Sequence, residues 1–259
     1  MELEGRHVVV TGAGRGIGRA LAQRFADEGA RAVVVADMDE ATAQAVAGEV
    51  GGLAVTADVG READIRALVA RAEEANGPID LFFSNAGITG PSGGPDALLD
   101  EDWDLLWRVN TMSHVWAARA VLPGMLERGE GYIVSTASAA GLLAQLGAMG
   151  YTVTKHAAVA VAEWLSMTYG NRGIRVSCLC PQYVRTPMVT EGELPLDKLE
   201  AVATILEPEQ VADAVVEALR EERFLILPHP EVGTYMAHRG DDHDRWLRGM
   251  RRLQGQLGV

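Results

Sequence analysis

A doubly wound α/β domain, with a mostly parallel sheet of about seven strands and helices on both faces, is the fold this sequence predicts. Three observations lead there. Short β-branched runs alternate with helical patterns from one end of the chain to the other. Those runs are apolar almost throughout, as strands covered on both faces are. The first of them leads directly into a glycine-rich turn, T11-G-A-G-R-G-I-G18, and then into an amphipathic helix.

Strands are expected at His7–Val10, Ala32–Ala36, Leu53–Thr56, Ile79–Ser84, Tyr132–Ser135, Arg175–Leu179 and Phe224–Leu227. The first helix carries Ile17, Leu21 and Phe25 on one face, and Gly29 is placed to end it. Ile65, Leu68, Val69 and Ala72 follow the i, i+3, i+4, i+7 spacing of another helix, which stops at Asn76-Gly77-Pro78. The spacing returns after Pro208 in Val211, Ala214, Val215, Ala218 and Leu219. Two stretches break this rhythm. Residues 186–207 show no clear strand and are a candidate substrate lid. The tail, 229–259, mixes charge with Tyr235, Met236, Trp246, Leu247 and Met250. It is compatible with packing on the body, covering a pocket or meeting another subunit. No repeat or linker interrupts the chain, so residues 1–259 read as a single domain.

Composition narrows the function. The chain has 259 residues, 48% hydrophobic and 23% charged, with a net charge of -13. That balance argues against nucleic acid as a partner, because a phosphate backbone would be repelled. No apolar run approaches the ~20 residues of a membrane span. The amino terminus runs straight into a strand, which leaves no room for a signal peptide. Cys178 and Cys180 occupy same-face positions of one strand, poorly placed to bridge each other. They read as reduced thiols of a cytoplasmic protein, and two thiols alone make no metal site.

Strand, glycine turn and helix together let backbone N–H groups and a helix N-terminus face a pyrophosphate. Gly12, Gly16 and Gly18 permit unusual dihedrals and close approach of a ligand, although their spacing is not G-x-G-x-x-G. Asp37 ends the second strand, nineteen residues after Gly18. There a carboxylate accepts hydrogen bonds from both ribose hydroxyls of NAD and repels a 2′-phosphate. Arg15 pulls the other way, since a guanidinium near the adenosine favours NADP. No basic residue follows Asp37 directly, and NAD is the expected cofactor.

Further along come S84-N-A-G87, Asn110, Ser138, Y151-T-V-T-K155 and the Pro181–Thr186 stretch. With the glycine turn, and in this order, they make the chain resemble the short-chain dehydrogenase/reductase family over nearly its whole length, in its compact single-domain, Rossmann-type branch. The resemblance implies that the turn, Arg15 and Ile17 included, contacts the cofactor, with Asp58 and Val59 against the adenine. It implies that Asn85, Ala86 and Gly87 support the central sheet and cofactor. Pro181, Val184 and Thr186 would border the nicotinamide, with Val184 and Thr186 on its amide. Tyr151 and Lys155 would also touch the cofactor, Lys155 at the ribose, and Asn110 would help hold a water linking Lys155 to solvent. The chain departs from the family at Pro181-Gln182, where Pro-Gly is usual. A side chain there either reshapes the pocket wall or points to solvent.

Hydride transfer to a ketone leaves an alkoxide that needs a proton, and the reverse reaction needs that proton removed. A tyrosine hydroxyl serves if its pKa of ~10 is drawn toward the working pH. Tyr151 and Lys155 are one helical turn apart, so they share a face. An ammonium ~4 Å from a phenolate contributes up to about 4 kcal/mol at an effective dielectric near 20. Lys155 is therefore expected to lower the pKa of Tyr151, and Ser138 to hydrogen-bond the substrate oxygen. Ser135 and Thr136 are alternative hydroxyls, while His114 and His156 read as helix residues without a ligand role.

The expected function is interconversion of a secondary alcohol and its ketone with NAD(H). The substrate is expected to be hydrophobic, from Leu142, Leu143, Leu146, Met149 and Met188 as candidate pocket residues. Alternatives are an NADP-dependent ketone reductase, a non-catalytic NAD sensor and a nicotinamide-assisted lyase or epimerase. The resemblance also implies a homodimer or homotetramer paired through the helices around Asn110 and Tyr151, where Trp103, Trp107, Trp116 and Trp164 lie.

Overall fold

The fold is seen in a computed structural model that describes residues 1–191, 199 and 203–258. Its strands are β1 (His7–Thr11), β2 (Ala32–Asp37), β3 (Leu53–Thr56), β4 (Leu81–Ser84), β5 (Gly131–Thr136), β6 (Ile174–Leu179), β7 (Tyr183–Val184), β8 (Ile205–Leu206) and β9 (Leu225–Ile226). Seven of them form one sheet in the spatial order β3-β2-β1-β4-β5-β6-β9, with every pairing parallel. The helices are α1 (Gly16–Asp27), α2 (Glu40–Val50), α3 (Glu62–Asn76), α4 (Asp100–Trp107), α5 (Ser113–Arg128), α6 (Met149–Tyr169), α7 (Pro187–Thr190), α8 (Pro208–Arg220), α9 (Glu231–Asp241) and α10 (His243–Leu257). The chain builds outward from β1 to β3, then restarts on the other side of β1 at β4. The carboxyl ends of β1 and β4 therefore flank a topological switch point, where folds of this kind bind ligands.

Alternate residues of each strand face opposite sides, and the two faces carry separate cores. On one, Val9, Val34, Phe82 and Ile133 pack with Ile65 and Leu68 of α3, Val121 of α5 and Ala158 of α6. On the other, Val8, Val33, Leu81 and Val134 pack with Leu21 and Phe25 of α1, Val46 of α2 and Val215 of α8. This is the doubly wound arrangement that the apolar strands predict.

Local chemistry sets the helix ends. At the end of α1, Ala30 N–H bonds Phe25 O and Gly29 N–H bonds Ala26 O, with Gly29 at φ 80°. That is a Schellman ending. At α2, the Asp39 carboxylate accepts the Ala41 and Thr42 N–H groups. Between α4 and α5 the chain does not break but widens into a π-helical segment, Arg108–Met112.

One expectation needs correction: residues 186–207 contain a strand after all, since Ile205–Leu206 pairs in parallel with Tyr183–Val184 in a small separate ladder. The expected lid over that stretch falls in part on 192–198 and 200–202, outside the described residues. Among the described residues no helix is long and apolar enough to cross a membrane.

Phe25 is fully buried and meets Phe83 with ring centroids 5.9 Å apart. Phe25→Ala should lower the stability by about 3–5 kcal/mol, read as a lower urea midpoint with an unchanged slope.

Candidate active site

The carboxyl edge of the sheet is held together by a chain of polar side chains. Thr11, at the end of β1, accepts the backbone N–H groups of Asn85 and Ala86 at its hydroxyl, at 2.9 and 3.2 Å. Asn85 returns its amide to Thr11 O at 3.1 Å and accepts the Thr136 hydroxyl at 3.1 Å. One asparagine thus joins the ends of β1, β4 and β5. Ala86 lies so close to the glycine turn that a Cβ on Gly12 would stand 2.8 Å from Ala86 Cα.

Lys155 reaches this edge from α6. Its ammonium is buried, the residue 2% exposed, and it donates to Thr136 O at 2.9 Å. Gly87 makes room for it: a Cβ there would lie 3.0 Å from Lys155 Nζ and 3.3 Å from Asn110 Oδ1. Asn110, within the π-helical segment, donates to Ile88 O at 2.8 Å and accepts Ile88 N–H at 2.9 Å. It also reaches Thr154 Oγ1 on α6 at 3.2 Å. Its carboxamide therefore fixes the Gly87–Ile88 backbone beside the lysine.

Tyr151 and Ser138 complete the cluster. Lys155 Nζ is 5.7 Å from the Tyr151 ring centroid. Burial pushes the tyrosine pKa up, offset in part by a hydrogen bond with Ser138. Burial likewise holds Lys155 down at about 8, with the nearby Cys178 and Cys180 pulling it partly back. The expected depression of Tyr151 by Lys155 is therefore not what the structure has. Desolvation disfavours both charged forms and is the largest effect on each. Ser138 opens a short 3-10 turn, its Oγ accepting Ala140 N–H at 3.1 Å and reaching Pro181 O at 3.4 Å. The alternative hydroxyls are turned elsewhere: Ser135 is buried in the sheet, and Thr136 is used by Asn85. His114 is a buried helix residue whose Nδ1 meets the Ser84 hydroxyl at 2.8 Å. Burial and then the Lys155 charge hold its pKa down to about 3. The two thiols of Cys178 and Cys180 are buried, free and 3.7 Å apart.

On the other side of the switch point, the glycine turn leaves no space for side chains. A Cβ on Gly18 would lie 2.1 Å from Gly12 O, and one on Gly16 3.0 Å from Thr186 Cγ2. Gly12 and Gly16 have φ of 62° and 54°. Helix α1 starts directly after Arg15 with no side-chain cap, and Arg15 itself is exposed. Ile17 is half-buried against the α1–α2 core. Asp37 is held at the mouth of the turn, Oδ2 accepting Gly14 N–H at 2.9 Å and Oδ1 accepting Asp39 N–H at 3.1 Å. Asp58 follows β3 and accepts Gly60 N–H at 2.9 Å, while Val59 turns into the core. Val184 is buried, and Pro181 O takes the Ala139 N–H at 2.8 Å.

Gly14 and Thr42 belong to this site without having been singled out from the sequence. A Cβ on Gly14 would meet Thr42 Oγ1 at 2.3 Å and Asp37 Oδ2 at 3.0 Å. The signal was present in GAGRGIG, where glycine recurs at every second position.

A cavity of about 540 Å³ opens from Ser138. The body supplies Ala139, Ala140, Leu143, Gln145, Leu146 and Gln182, and the C-terminal helices α9 and α10 supply the facing wall, with Tyr235, Trp246 and Met250 among others. The tail therefore both packs on the body and covers the pocket. Gln182, standing where the family pattern has glycine, is part of the cavity wall. Leu143 and Leu146 line the cavity as expected; Leu142 packs beside it, and Met149 and Met188 are exposed away from it. Among the described residues no three His, Cys, Asp or Glu side chains gather as for a metal.

Lys155 gives a pH-dependent test. Its pKa is about 8 in the folded protein against 10.5 ordinarily. The unfolded chain therefore holds a proton that the folded chain sheds between those values, and stability from this group rises with pH across that window. Below it the cost of burying the charge is fully present. Lys155→Met should be more stable than wild type at pH 7, by urea denaturation, with the difference shrinking toward pH 10. A difference that grows with pH would contradict this electrostatic picture.

Comparison with known proteins agrees with this geometry. Residues 6–195 match the family model described as short chain dehydrogenase. A 1-deoxy-11-beta-hydroxypentalenate dehydrogenase of Streptomyces exfoliatus is 37% identical over 250 residues, covering 93% of this chain and 90% of the relative. The cyclohexanol dehydrogenase of Acinetobacter sp. strain SE19 is 33% identical over 224 residues, covering 84% and 89%. Among solved structures, a short-chain dehydrogenase/reductase from Burkholderia phymatum in complex with NAD superposes with a TM-score of 0.84 at 32% identity, covering 94% of this chain and 96% of that one. With the switch-point site on a seven-stranded parallel sheet, these likenesses establish that the chain belongs to the short-chain dehydrogenase/reductase family of oxidoreductases, whose fold binds nicotinamide cofactors.

Proposed function

We propose that the protein is an NAD(H)-dependent oxidoreductase that interconverts an alicyclic, largely apolar secondary alcohol and its ketone. One observation carries this reading: Ser138, which acts on the buried Tyr151 one helical turn of α6 from Lys155, opens into the cavity of about 540 Å³. The lining mixes apolar side chains with Asp241, Asp242, Arg245 and Arg252, so the ring-bearing substrate is supported by the names of two relatives, a hydroxypentalenate and a cyclohexanol dehydrogenase.

The residues fit a dinucleotide. The side-chain-free turn at Gly12, Gly14, Gly16 and Gly18, the uncapped start of α1 and the Asp37 carboxylate at its mouth would hold the pyrophosphate and adenosine ribose. Asp58 and Val59 would border the adenine. Asn85, Ala86 and Gly87 would form the floor, Pro181, Val184 and Thr186 would flank the nicotinamide, and Arg15 and Ile17 would border the turn. Asp37 favours NAD over NADP because a 2′-phosphate would meet a carboxylate already fixed by two backbone N–H groups. The exposed Arg15 is the one observation on the side of NADP.

When bound, the cofactor supplies or accepts the hydride. Ser138 holds the substrate oxygen, and Tyr151 gives or takes its proton. With its pKa raised by burial, Tyr151 stays protonated near neutral pH, the form that donates to a nascent alkoxide. Lys155 would hold the ribose and, as an ammonium, donate a proton to the tyrosinate and be reprotonated from solvent, while Asn110 is a positioning residue that keeps the Gly87–Ile88 backbone against it.

The test is nicotinamide absorbance with NAD and NADP across alicyclic alcohols, hydroxysteroids and hydroxyacyl thioesters. Turnover should favour NAD by at least about tenfold, and Tyr151→Phe should lose about 10²–10⁴-fold in kcat. Alcohol oxidation should rise with pH as the phenol deprotonates, and ketone reduction should fall. NADH binding without turnover of any alcohol would favour the sensor reading.

We also propose a homo-oligomer formed through α5 and α6. A groove of about 480 Å³ on these helices is lined by Val115, Leu122, Val161, Trp164 and Leu165, and Trp164 is 55% and Met167 74% exposed. Light scattering at micromolar concentration should give a dimer or tetramer, and Trp164→Glu should shift it toward monomer. A wild-type monomer would refute this assembly.

A further inference from the structure

The C-terminal helices hold to the body by little apolar surface. Val232 of α9 is buried against Ala139 and Leu143, joined by the partly buried Met236 and Trp246. The turn between α9 and α10 is set locally, by the Asp242 carboxylate accepting Arg245 N–H at 2.8 Å. Just before α9, His229 accepts Gln182 N–H at 3.1 Å and meets Tyr183 O at 3.1 Å, and within the helices a further polar tie to the body is Arg239. Its Nη1 donates to Leu142 O, to Leu143 O at 3.2 Å and to His156 Nε2 at 3.4 Å. Among the described residues no carboxylate is paired with it.

Each of these contacts leads back to the reaction centre. His156 follows Lys155 on α6, and Leu142 and Leu143 follow the 3-10 turn that Ser138 begins. The histidine is oriented for its part: Nδ1 lies 2.9 Å from Thr152 O, an acceptor, so Nδ1 carries the proton and Nε2 is free to accept from the guanidinium. All three contacts are made by Nη1, whose two hydrogens are shared among two carbonyls and a ring nitrogen.

We propose that Arg239 is a positioning residue for the reaction: it latches the α9–α10 cap over the cavity and fixes the wall that follows Ser138. The proposal rests on the reading of that cavity as the substrate pocket. Substrate affinity should then depend on Arg239, while chemistry at Tyr151 should not.

The test uses the full-length protein with NAD and cyclohexanol as the probe alcohol, in wild type, Arg239→Ala, Arg239→Lys and His156→Ala. In Arg239→Ala, KM should rise about tenfold or more with kcat within about threefold. Arg239→Lys should recover part of the loss. The Arg239→Ala/His156→Ala double variant should be no worse than Arg239→Ala alone, because both remove one contact. Hydrogen exchange, measured without substrate, should be about tenfold or more faster across 231–257 in Arg239→Ala and unchanged in β1–β6. Unchanged exchange in the cap, or a loss confined to kcat, would overturn the latch. If wild type oxidises no alcohol, exchange still decides: a released cap supports the latch while the substrate reading falls, and a protected cap refutes the latch. If Arg239→Ala does not fold, Arg239→Lys and His156→Ala carry the same comparison.

Discussion

An ammonium buried at the carboxyl edge of a parallel sheet is the constraint that orders this molecule. Lys155 is 2% exposed, and a charge so placed costs several kcal/mol unless it is solvated by the protein. Here the Thr136 carbonyl does that, which requires the end of β5 to stay in place. Thr136 is in turn tied through Asn85 to Thr11, so the ends of three strands are fixed with respect to the lysine. Gly87 is kept bare by the ammonium itself, and Asn110 pins the backbone that follows. The glycine turn then closes against Ala86. The proposed cofactor groove and the proposed proton-transfer cluster are thus two sides of one clamped edge.

The same burial sets the chemistry. It acts in opposite directions on the pair one helical turn apart, raising the phenol of Tyr151 and lowering the ammonium of Lys155. The proton is left on the tyrosine, next to the hydroxyl of Ser138 and the mouth of the cavity. Burial is the largest effect on both groups.

Much of this was legible in the sequence because it is periodic or local. Apolar runs gave the central strands, and an i, i+4 spacing is enough to place Tyr151 and Lys155 on one face. Asp37 after the second strand could be read from position alone. What escaped depends on depth or on distance along the chain. An attraction between Lys155 and Tyr151 is what their spacing suggests, but the desolvation that is the largest effect on both is not visible in it. The two-residue strands at Tyr183 and Ile205 are too short to show a period. Gln182 could be seen as a departure, yet only the fold brings it to the cavity wall. Arg239 and His156 are 83 positions apart, with no local pattern to join them.

The π-helical segment at Arg108–Met112 has a geometric effect beyond seating Asn110. Because it joins α4 to α5 without a break, the two helices form one rod whose faces are out of phase. Before the wide turn, Leu106 lies near Gly90 and Gly150; after it, Ala117 and Val121 lie against the sheet. An α-helix advances about 100° per residue. Winding this segment as a uniform α-helix, with no residue removed, would rotate every later side chain by about that angle. Asn110 would leave Ile88, and the face of α5 now packed on the sheet would turn toward solvent. The inserted residue acts as a phase shifter, letting one continuous helix serve the rim of the active site at one end and the core at the other.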